Sequence, residues 1–229
     1  MNDPRERTLK NAARYMGAAR AAKNPTADWV SLMDAAYWEL LAAAQPRHVL
    51  RRATLRTEGD TCYFGDMPPF ISRDICRLFA NCKEGYALLA TLGMGVELAV
   101  RRLMVTNPAL GMAVGACGSA YVDVYIDDLI GRERNTLLLA EGEGNPSVQG
   151  VFTPRFSPGY GDAPLSIQPE LLRFLGGHKL GVHLTDGFLM VPEKSVTAFF
   201  GMTNEKTESC EGRCGLCAKI DCTFREETE

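Results

Sequence analysis

Apolar residues recur at every third or fourth position over the first 45 residues, the spacing of helices that bury one face. A first helix is predicted to begin after Pro4 and to end at the AKNPT segment. A second is predicted from about Asp28 to just before Pro46, because proline cannot continue a helix. Alternation over residues 48–57 then predicts a strand. Its polar face is expected in solvent or against an acidic partner, and it carries three arginines: Arg51, Arg52 and Arg56.

The middle of the chain gives alternating helix and strand signals. Ser72 stands where an N-cap is expected, at the start of a short helix. Residues 86–93 are an apolar run with the length of a buried strand, and residues 96–104 predict another helix. That helix must end at the Asn107–Pro108 pair.

A longer helix is predicted from Pro108 to about Leu139. It carries three glycines roughly on one face: Gly111, Gly115 and Gly118. Glycine weakens a helix interior, so three on one face predict a close neighbour. That neighbour is either another backbone or a ligand.

Residues 141–154 separate the first half of the chain from the second half. Their sequence, EGEGNPSVQGVFTP, predicts a flexible connection and an internal boundary. Residues 169–176 predict a short helix with proline near its start and glycine at its end. Alternation over residues 180–190 and an extended run over residues 195–202 predict an antiparallel meander. Helices around an antiparallel sheet make the predicted fold class α+β.

Composition narrows the possible partners and location. The net charge of −3 argues against nucleic acid, since binding phosphates requires a basic surface. The apolar run over residues 87–100 is too short for a bilayer and contains Glu97. The N-terminal MNDPRERTLK lacks the apolar core of a signal peptide. We therefore expect a cytoplasmic protein with no membrane partner, in which the eight cysteines are reduced thiols or metal ligands.

Two common kinds of catalytic or nucleotide site are not supported. The segment ATLGMGVE has a strand, Gly-x-Gly and a helix, but Leu98 takes the third glycine position of a dinucleotide site and no parallel βαβ units follow. The histidines His48, His178 and His183 are scattered, and no Gly-x-Ser-x-Gly elbow is present.

The segment CEGRCGLCAKIDC near the C-terminus predicts a metal site. Its ligands would be four cysteines on a short polar stretch: Cys210, Cys214, Cys217 and Cys222. Four thiolates so close together can surround Zn²⁺ or an iron–sulfur cluster, and both remain open. The alternative is a set of uncoordinated or disulfide-forming thiols. The other cysteines, Cys62, Cys76, Cys82 and Cys117, have the apolar contexts of core residues.

The segment TPRFSPGYGD, residues 153–162, begins a motif that resembles the activation (reactivation) domain of cobalamin-dependent methionine synthase. The Arg-x-x-Pro-Gly-Tyr signature of that family is matched by Arg155, Pro158, Gly159 and Tyr160. A helix follows, and then the family's Leu-Thr-Glu/Asp-x-Phe-x-Met-x-Pro and Ser-Val strands, matched by Leu184, Thr185, Asp186, Phe188, Met190, Pro192, Ser195 and Val196. The match is specific over residues 151–202 and weaker over residues 70–130.

The resemblance implies a C-shaped α+β fold with a twisted antiparallel sheet, and a site for S-adenosylmethionine. That ligand has a carboxylate, an ammonium and a sulfonium, so its site needs both signs of charge. Arg155 would hold the carboxylate or brace the loop. Pro158 would stiffen the loop, Gly159 would admit the ligand closely, and Tyr160 would offer its ring. Asp123 matches a family carboxylate that favours the cation; the alternative is a solvated helix residue.

The resemblance covers most of the chain and implies a domain layout. Residues 1–203 would form the activation-domain-like unit, with N-terminal helices over 1–45 and a core over 46–203, and residues 204–229 would form the cysteine-rich tail. The protein would be a stand-alone accessory that acts in trans on a cobalamin-binding methionine synthase core or another corrinoid protein. Cobalamin would be supplied only by that partner. The electron could come from a further donor protein, or from an iron–sulfur cluster in the tail.

Two other functions fit the same residues. One is an iron–sulfur electron carrier that kept the fold without binding S-adenosylmethionine. The other is a zinc-stabilised binding module for a different corrinoid methyltransferase. Both depend on what the cysteine tail holds.

The four-cysteine tail gives the first testable prediction. Protein purified without oxygen is expected to contain one zinc ion or one iron–sulfur cluster per chain, measured by metal analysis. A Cys214→Ser, Cys217→Ser variant should lose that metal, whereas a Cys62→Ser variant should keep it. Protein with neither zinc nor iron at stoichiometric level would contradict the metal site.

Overall fold

The computed structural model describes residues 3–140 and 151–203 of the 229-residue chain. The α-helices in these ranges are α1 (Pro4–Tyr15), α2 (Ala19–Lys23), α3 (Ala27–Ala43), α4 (Arg73–Leu78), α5 (Met94–Thr106), α6 (Pro108–Ala140) and α7 (Gln168–Leu175). The strands are β1 (Arg47–Glu58), β2 (Thr61–Phe64), β3 (Phe70–Ile71), β4 (Glu84–Thr91), β5 (Val151–Phe152), β6 (His183–Leu184), β7 (Met190–Val191) and β8 (Ser195–Thr203). Short 3₁₀ turns flank α7 on both sides.

Six of the strands form one sheet in the order β3-β2-β1-β4-β8-β5. Every neighbouring pair in this sheet is antiparallel. Strands β6 and β7 form a separate hairpin. This arrangement confirms the predicted α+β class with an antiparallel sheet. It also agrees with the rejection of a dinucleotide fold, because β4 before the Gly-x-Gly turn has no parallel neighbour.

Strand β4 is covered by helices on both faces, which explains its unbroken apolar sequence. Tyr86, Leu88 and Ala90 belong to a core cluster shared with α1, α3, α5 and α6. Ala87 and Leu89 belong to a second cluster shared with α4 and α7. Each large buried side chain contributes roughly 1.5–3 kcal/mol to the hydrophobic stabilisation of the fold. The sheet is therefore the middle layer of three.

Most helix boundaries follow the sequence signals. The Ser72 hydroxyl accepts a hydrogen bond from the backbone N–H of Ile75 at 3.1 Å and caps α4 as predicted. Helix α5 ends before Asn107 and α6 begins at Pro108. The predicted first helix is wrong in one respect. Gly17 has a positive φ of 65°, and it divides that helix into α1 and α2.

Helix α6 is long enough and apolar enough to cross a membrane, when only its length and composition are considered. Half of its most apolar window is buried inside the protein, where it packs on α1, α3 and α5. A single apolar helix covered in this way is typical of a central core helix.

The glycine face of α6 lies against α5. A Cβ added to Gly111 would stand 2.9 Å from the backbone nitrogen of Met104, and one added to Gly118 would stand 3.3 Å from Cγ1 of Val96. The close neighbour predicted from the three glycines is thus another helix, which was the first of the two alternatives.

The predicted polar face of β1, with its three arginines, is corrected by the structure. Arg51 does not share a face with Arg52 and Arg56, because neighbouring strand residues point to opposite sides. Its guanidinium lies 3.8 Å from the centre of the Phe174 ring and donates to the Phe174 carbonyl at 2.8 Å.

The predicted meander over residues 180–202 is interrupted. Leu180 belongs to a 3₁₀ turn, and β8 pairs with β4 rather than with β7.

The packing of α6 on α5 predicts opposite effects for two glycine substitutions. Gly111→Ala should lower the free energy of unfolding by roughly 1–3 kcal/mol, because the added methyl group overlaps the α5 backbone. Gly131→Ala in the same helix has no atom within 4 Å of the new Cβ and should raise it by up to about 1 kcal/mol. Urea unfolding measures both. Equal changes in the two variants would contradict this packing.

Candidate functional site

The loop that contains Arg155 is fixed to the edge of the sheet by backbone hydrogen bonds. Phe156 and Phe199 on β8 exchange two hydrogen bonds of 2.8 Å. Before them, Thr153 donates its N–H to the Gly201 carbonyl at 3.0 Å, and its side-chain hydroxyl accepts from the Gly201 N–H at 2.8 Å. Arg155 lies between these two anchors, so its backbone position is set by β8.

The side chain of Arg155 forms an ion-pair site with α6. Phe156 packs into the cluster shared with α4 and α7, and Arg155, its neighbour in extended chain, points to the opposite side. There Nη2 lies 2.6 Å from Asp123 and Nε lies 3.3 Å from Asp127. The Arg155 side chain is only 8% exposed. Burial by itself would lower the pKa of Arg155, but Asp123 and Asp127 outweigh it and raise the pKa above its usual value. Arg155 therefore stays charged.

Helix α1 supplies two further side chains to this cluster. The Tyr15 hydroxyl donates to the second carboxylate oxygen of Asp123 at 2.8 Å. Burial, the Asp123 charge and that hydrogen bond, with a smaller effect from the nearby Tyr160, all raise the pKa of Tyr15. Arg7 lies 2.6 Å from Asp128 and 3.6 Å from Asp127. The carboxylates of α6 are thus shared between the loop and α1.

The tip of the loop is a tight turn that exposes an aromatic ring. Pro158 is buried, whereas Gly159 has a φ of 88°, which a side chain would disfavour. The Gly159 N–H donates to the Ala163 carbonyl at 2.9 Å and closes the turn. Tyr160 at the tip is 68% exposed. The ring is held out by a closed turn and is available to a ligand.

The far end of the loop is tied to the start of α4. Asp162 accepts hydrogen bonds from the Ser72 hydroxyl at 2.6 Å and from the N–H groups of Arg73 at 2.8 Å and Asp74 at 3.1 Å. Partial burial disfavours its charged form, but these hydrogen bonds and the Arg73 charge outweigh burial and lower the pKa of Asp162 below its usual value. At Gly161, with a φ of 53°, a side chain would collide with Asp74.

The structure brings the predicted loop residues and Asp123 into one site. Arg155 contacts Asp123 directly, and its two expected roles, holding the ligand carboxylate or bracing the loop, stay predictions. Tyr15 and Asp127 were not predicted from the sequence. Asp127 has a recognisable signal, because it lies four positions after Asp123 and therefore on the same face of the helix. Tyr15 has no such signal, because its role depends on how α1 packs on α6.

The predicted metal ligands Cys210, Cys214, Cys217 and Cys222 lie outside the described residues. Within residues 3–140 and 151–203, no group of three or more His, Cys, Asp or Glu side chains could hold a metal ion. The four cysteines in these ranges are all buried, as expected from their sequence contexts. Burial raises the pKa of Cys62 and of Cys117 to about 12, so neither is a reactive thiolate at neutral pH.

The histidines do not join this site. His183 is exposed on β6, and the Nδ1 atom of His48 lies 2.6 Å from the Tyr125 hydroxyl. The described part of the site offers carboxylates, two arginines and phenols, and no activated nucleophile. Such a set suits binding and positioning of a ligand with a cationic group.

Comparison with known proteins identifies a similar fold. No protein-family model matches the sequence. The search of curated proteins gives no match either. Among solved structures, the fold is similar to the crystal structure of the MetH reactivation domain bound to AdoHcy, with a TM-score of 0.65 and 14% sequence identity. The match covers 89% of this chain and 76% of that one. The likeness confirms the fold predicted from the resemblance.

The hydrogen bonds of Asp162 predict a pH dependence of stability. Its folded pKa lies below the ordinary value of 3.8, so its contribution is complete above that value and is lost as the pH falls through the folded pKa. The free energy of unfolding of the wild type should therefore exceed that of Asp162→Asn at neutral pH, and the difference should shrink below about pH 4. A difference independent of pH would contradict the assignment.

Proposed function

We propose that this protein binds S-adenosylmethionine at the 153–163 loop and supports, in trans, the reductive remethylation of a cobalamin-dependent methionine synthase or a related corrinoid protein. The observation that carries the proposal is the ion pair between Arg155 and Asp123, in a loop whose tip exposes the ring of Tyr160. It joins the loop of the sequence motif to the carboxylate expected near the ligand. The similar fold, described in complex with AdoHcy, supports the same ligand class.

The residues present fit S-adenosylmethionine in charge and in the aromatic surface that they offer. Asp123 is paired with Arg155 and Tyr15 but remains partly exposed, so it can attract a sulfonium or ammonium group. Tyr160 and Tyr15 have exposed ring surface on which a cation or a flat base can pack. Arg155 already forms ion pairs with Asp123 and Asp127. The carboxylate of the ligand would therefore approach an arginine whose positive charge these two residues already balance.

The protein contributes positioning in this function. When bound, S-adenosylmethionine supplies an electrophilic methyl group attached to a sulfonium. The closed turn at Gly159 and the ion pairs of Arg155 hold Tyr160 and Asp123 in fixed relative positions, so the ligand would be oriented without reorganisation of the loop. No acid or base is required of the chain, in agreement with the absence of an activated nucleophile among the described site residues.

A trans assay tests this function. A methionine synthase core that lacks its own reactivation domain, inactivated in the Co(II) state, should regain turnover when this protein, S-adenosylmethionine and a one-electron reductant are added together. Omission of any one component should abolish the recovery. Recovery without this protein, or no recovery with it, would overturn the accessory role. Calorimetric titration with S-adenosylmethionine tests the binding step separately.

Tyr160→Ala is the most informative variant for the binding step. The ring is exposed, so its removal should leave the melting temperature unchanged while it weakens S-adenosylmethionine binding about tenfold, or about 1.4 kcal/mol. Trp38→Ala removes a similarly exposed ring from α3 and is the matched control, with unchanged affinity expected. Equal affinity of the wild type and Tyr160→Ala would show that the ligand binds elsewhere.

The four-cysteine segment favours a second candidate function. If Cys210, Cys214, Cys217 and Cys222 hold an iron–sulfur cluster, the chain could itself donate the electron that the corrinoid needs. An iron–sulfur carrier without S-adenosylmethionine binding would show a visible absorbance band that reductant bleaches, and no heat of binding in the titration. A zinc-stabilised binding module would show neither signal.

A further inference from the structure

The turn of the β6–β7 hairpin has an unusual backbone. Thr185 donates its N–H to the Leu189 carbonyl at 2.9 Å, and the Phe188 N–H donates to the Thr185 carbonyl at 2.9 Å. These bonds close a three-residue turn, in which the last residue ordinarily adopts the left-handed conformation and is glycine. Here Gly187 comes one position earlier, and Phe188 takes the left-handed position with a φ of 62°.

Phe188 is the one non-glycine residue with a positive φ among the described residues. A bulky side chain in that region is disfavoured, because its Cβ crowds the following carbonyl oxygen. The chain thus keeps a conformation that glycine would adopt more easily. Strain of this kind is commonly found where a side chain serves a function.

The same turn exposes apolar surface. Phe188 is 37% exposed, and Leu189 beside it is 66% exposed. Asp186, also exposed, gives the tip one negative charge. The hairpin therefore projects two apolar side chains and a carboxylate, which is the composition of a small protein-binding surface with a polar rim.

The base of the hairpin is rigid. Lys194 accepts at its carbonyl from the Leu92 N–H at 2.9 Å, and Ser195 Oγ donates to Thr91 Oγ1 at 2.8 Å. The buried carboxylate of Glu97 accepts from the Glu193 N–H. These bonds attach the hairpin to β4 and α5. A protruding apolar tip on a fixed base loses little conformational entropy when it binds.

The hairpin base is also next to the ligand site. Lys194 Nζ donates to Ser119 Oγ on α6 at 2.9 Å. Ser119 precedes Asp123 by four positions, so the two lie on the same face of α6, about 6 Å apart along its axis. A protein that contacts the hairpin would thus stand beside the loop and its ligand.

We propose that Phe188 and Leu189 form a docking tip for the corrinoid-carrying protein, and that the receiving surface is an apolar pocket with a cationic side chain that pairs with Asp186. The inference rests on the proposed function, because that function supplies the partner. The negative charge at the tip favours such a protein surface over anionic lipid, which would repel it. The left-handed conformation of Phe188 is retained because its partly exposed ring makes this contact.

The test compares two tip variants with the wild type. Phe188→Gly suits the left-handed position, so its melting temperature should not fall, and Leu189→Ser changes an exposed side chain. Each should weaken binding to a methionine synthase core lacking its reactivation domain by about tenfold or more, as loss of an interface anchor does. Binding of S-adenosylmethionine should be unchanged in both. Val105→Ser removes a more exposed apolar side chain from α5 and should bind the core like the wild type.

The outcomes separate this inference from the proposed function. Loss of core binding with retained S-adenosylmethionine binding supports the docking tip. Equal core binding by the wild type and the tip variants would overturn it and leave the proposed function intact. If the wild type binds S-adenosylmethionine but not the core, the docking tip and the accessory role are both wrong, and ligand binding stands. Self-association that the tip variants abolish, measured by sedimentation, would assign the tip to a second copy of this chain instead.

Discussion

The ion pairs of Arg155 with Asp123 and Asp127 join the loop at the sheet edge to the longest helix, and the candidate site depends on them. Breaking a fully buried pair typically costs about 3–5 kcal/mol, since the remaining charge is left uncompensated. Here the two carboxylates are partly exposed, so the cost is smaller. The pairs therefore contribute more to the position of the loop than to net stability. Hydrogen bonds to β8 set the backbone of Arg155, and α6 sets its side chain.

Helix α6 organises the site because successive turns of one element meet different parts of the chain. Gly111 packs on α5, Ser119 bonds to Lys194 beyond the hairpin, Asp123 holds Arg155 and Tyr15, and Asp128 holds Arg7. The order of these residues along α6 is therefore also the order in which the packed elements lie along the helix. A ligand bound at Asp123 would lie between the N-terminal helix and the hairpin.

Local signals predicted much of this fold. The apolar run of β4, the break at Asn107–Pro108, the Ser72 cap and a close neighbour at the glycine face of α6 depend on neighbouring residues or on simple periodicity. Features that depend on distant pairing could not be predicted in the same way. The partner of β8 is β4 rather than β7, and Arg51 packs on Phe174, because tertiary packing decides between alternatives that are locally equivalent. The loop residues and Asp123 were identified through a resemblance, whereas Tyr15 required the packing of α1 on α6.

The pairing of β4 with β8 has a consequence for how the site forms. Thr91 and Ser195, which meet at one end of this pair, are 104 positions apart in the chain. Contacts between such distant segments form late, because closing a long loop costs entropy before the contacts that reward it exist. The backbone of Arg155 is held by β8, so the candidate site is complete only once β8 has paired with β4. During synthesis, the helices of the N-terminal part and the β1–β4 pair would form before the chain could bind a ligand. Ligand binding would therefore be a measure of complete assembly of the sheet.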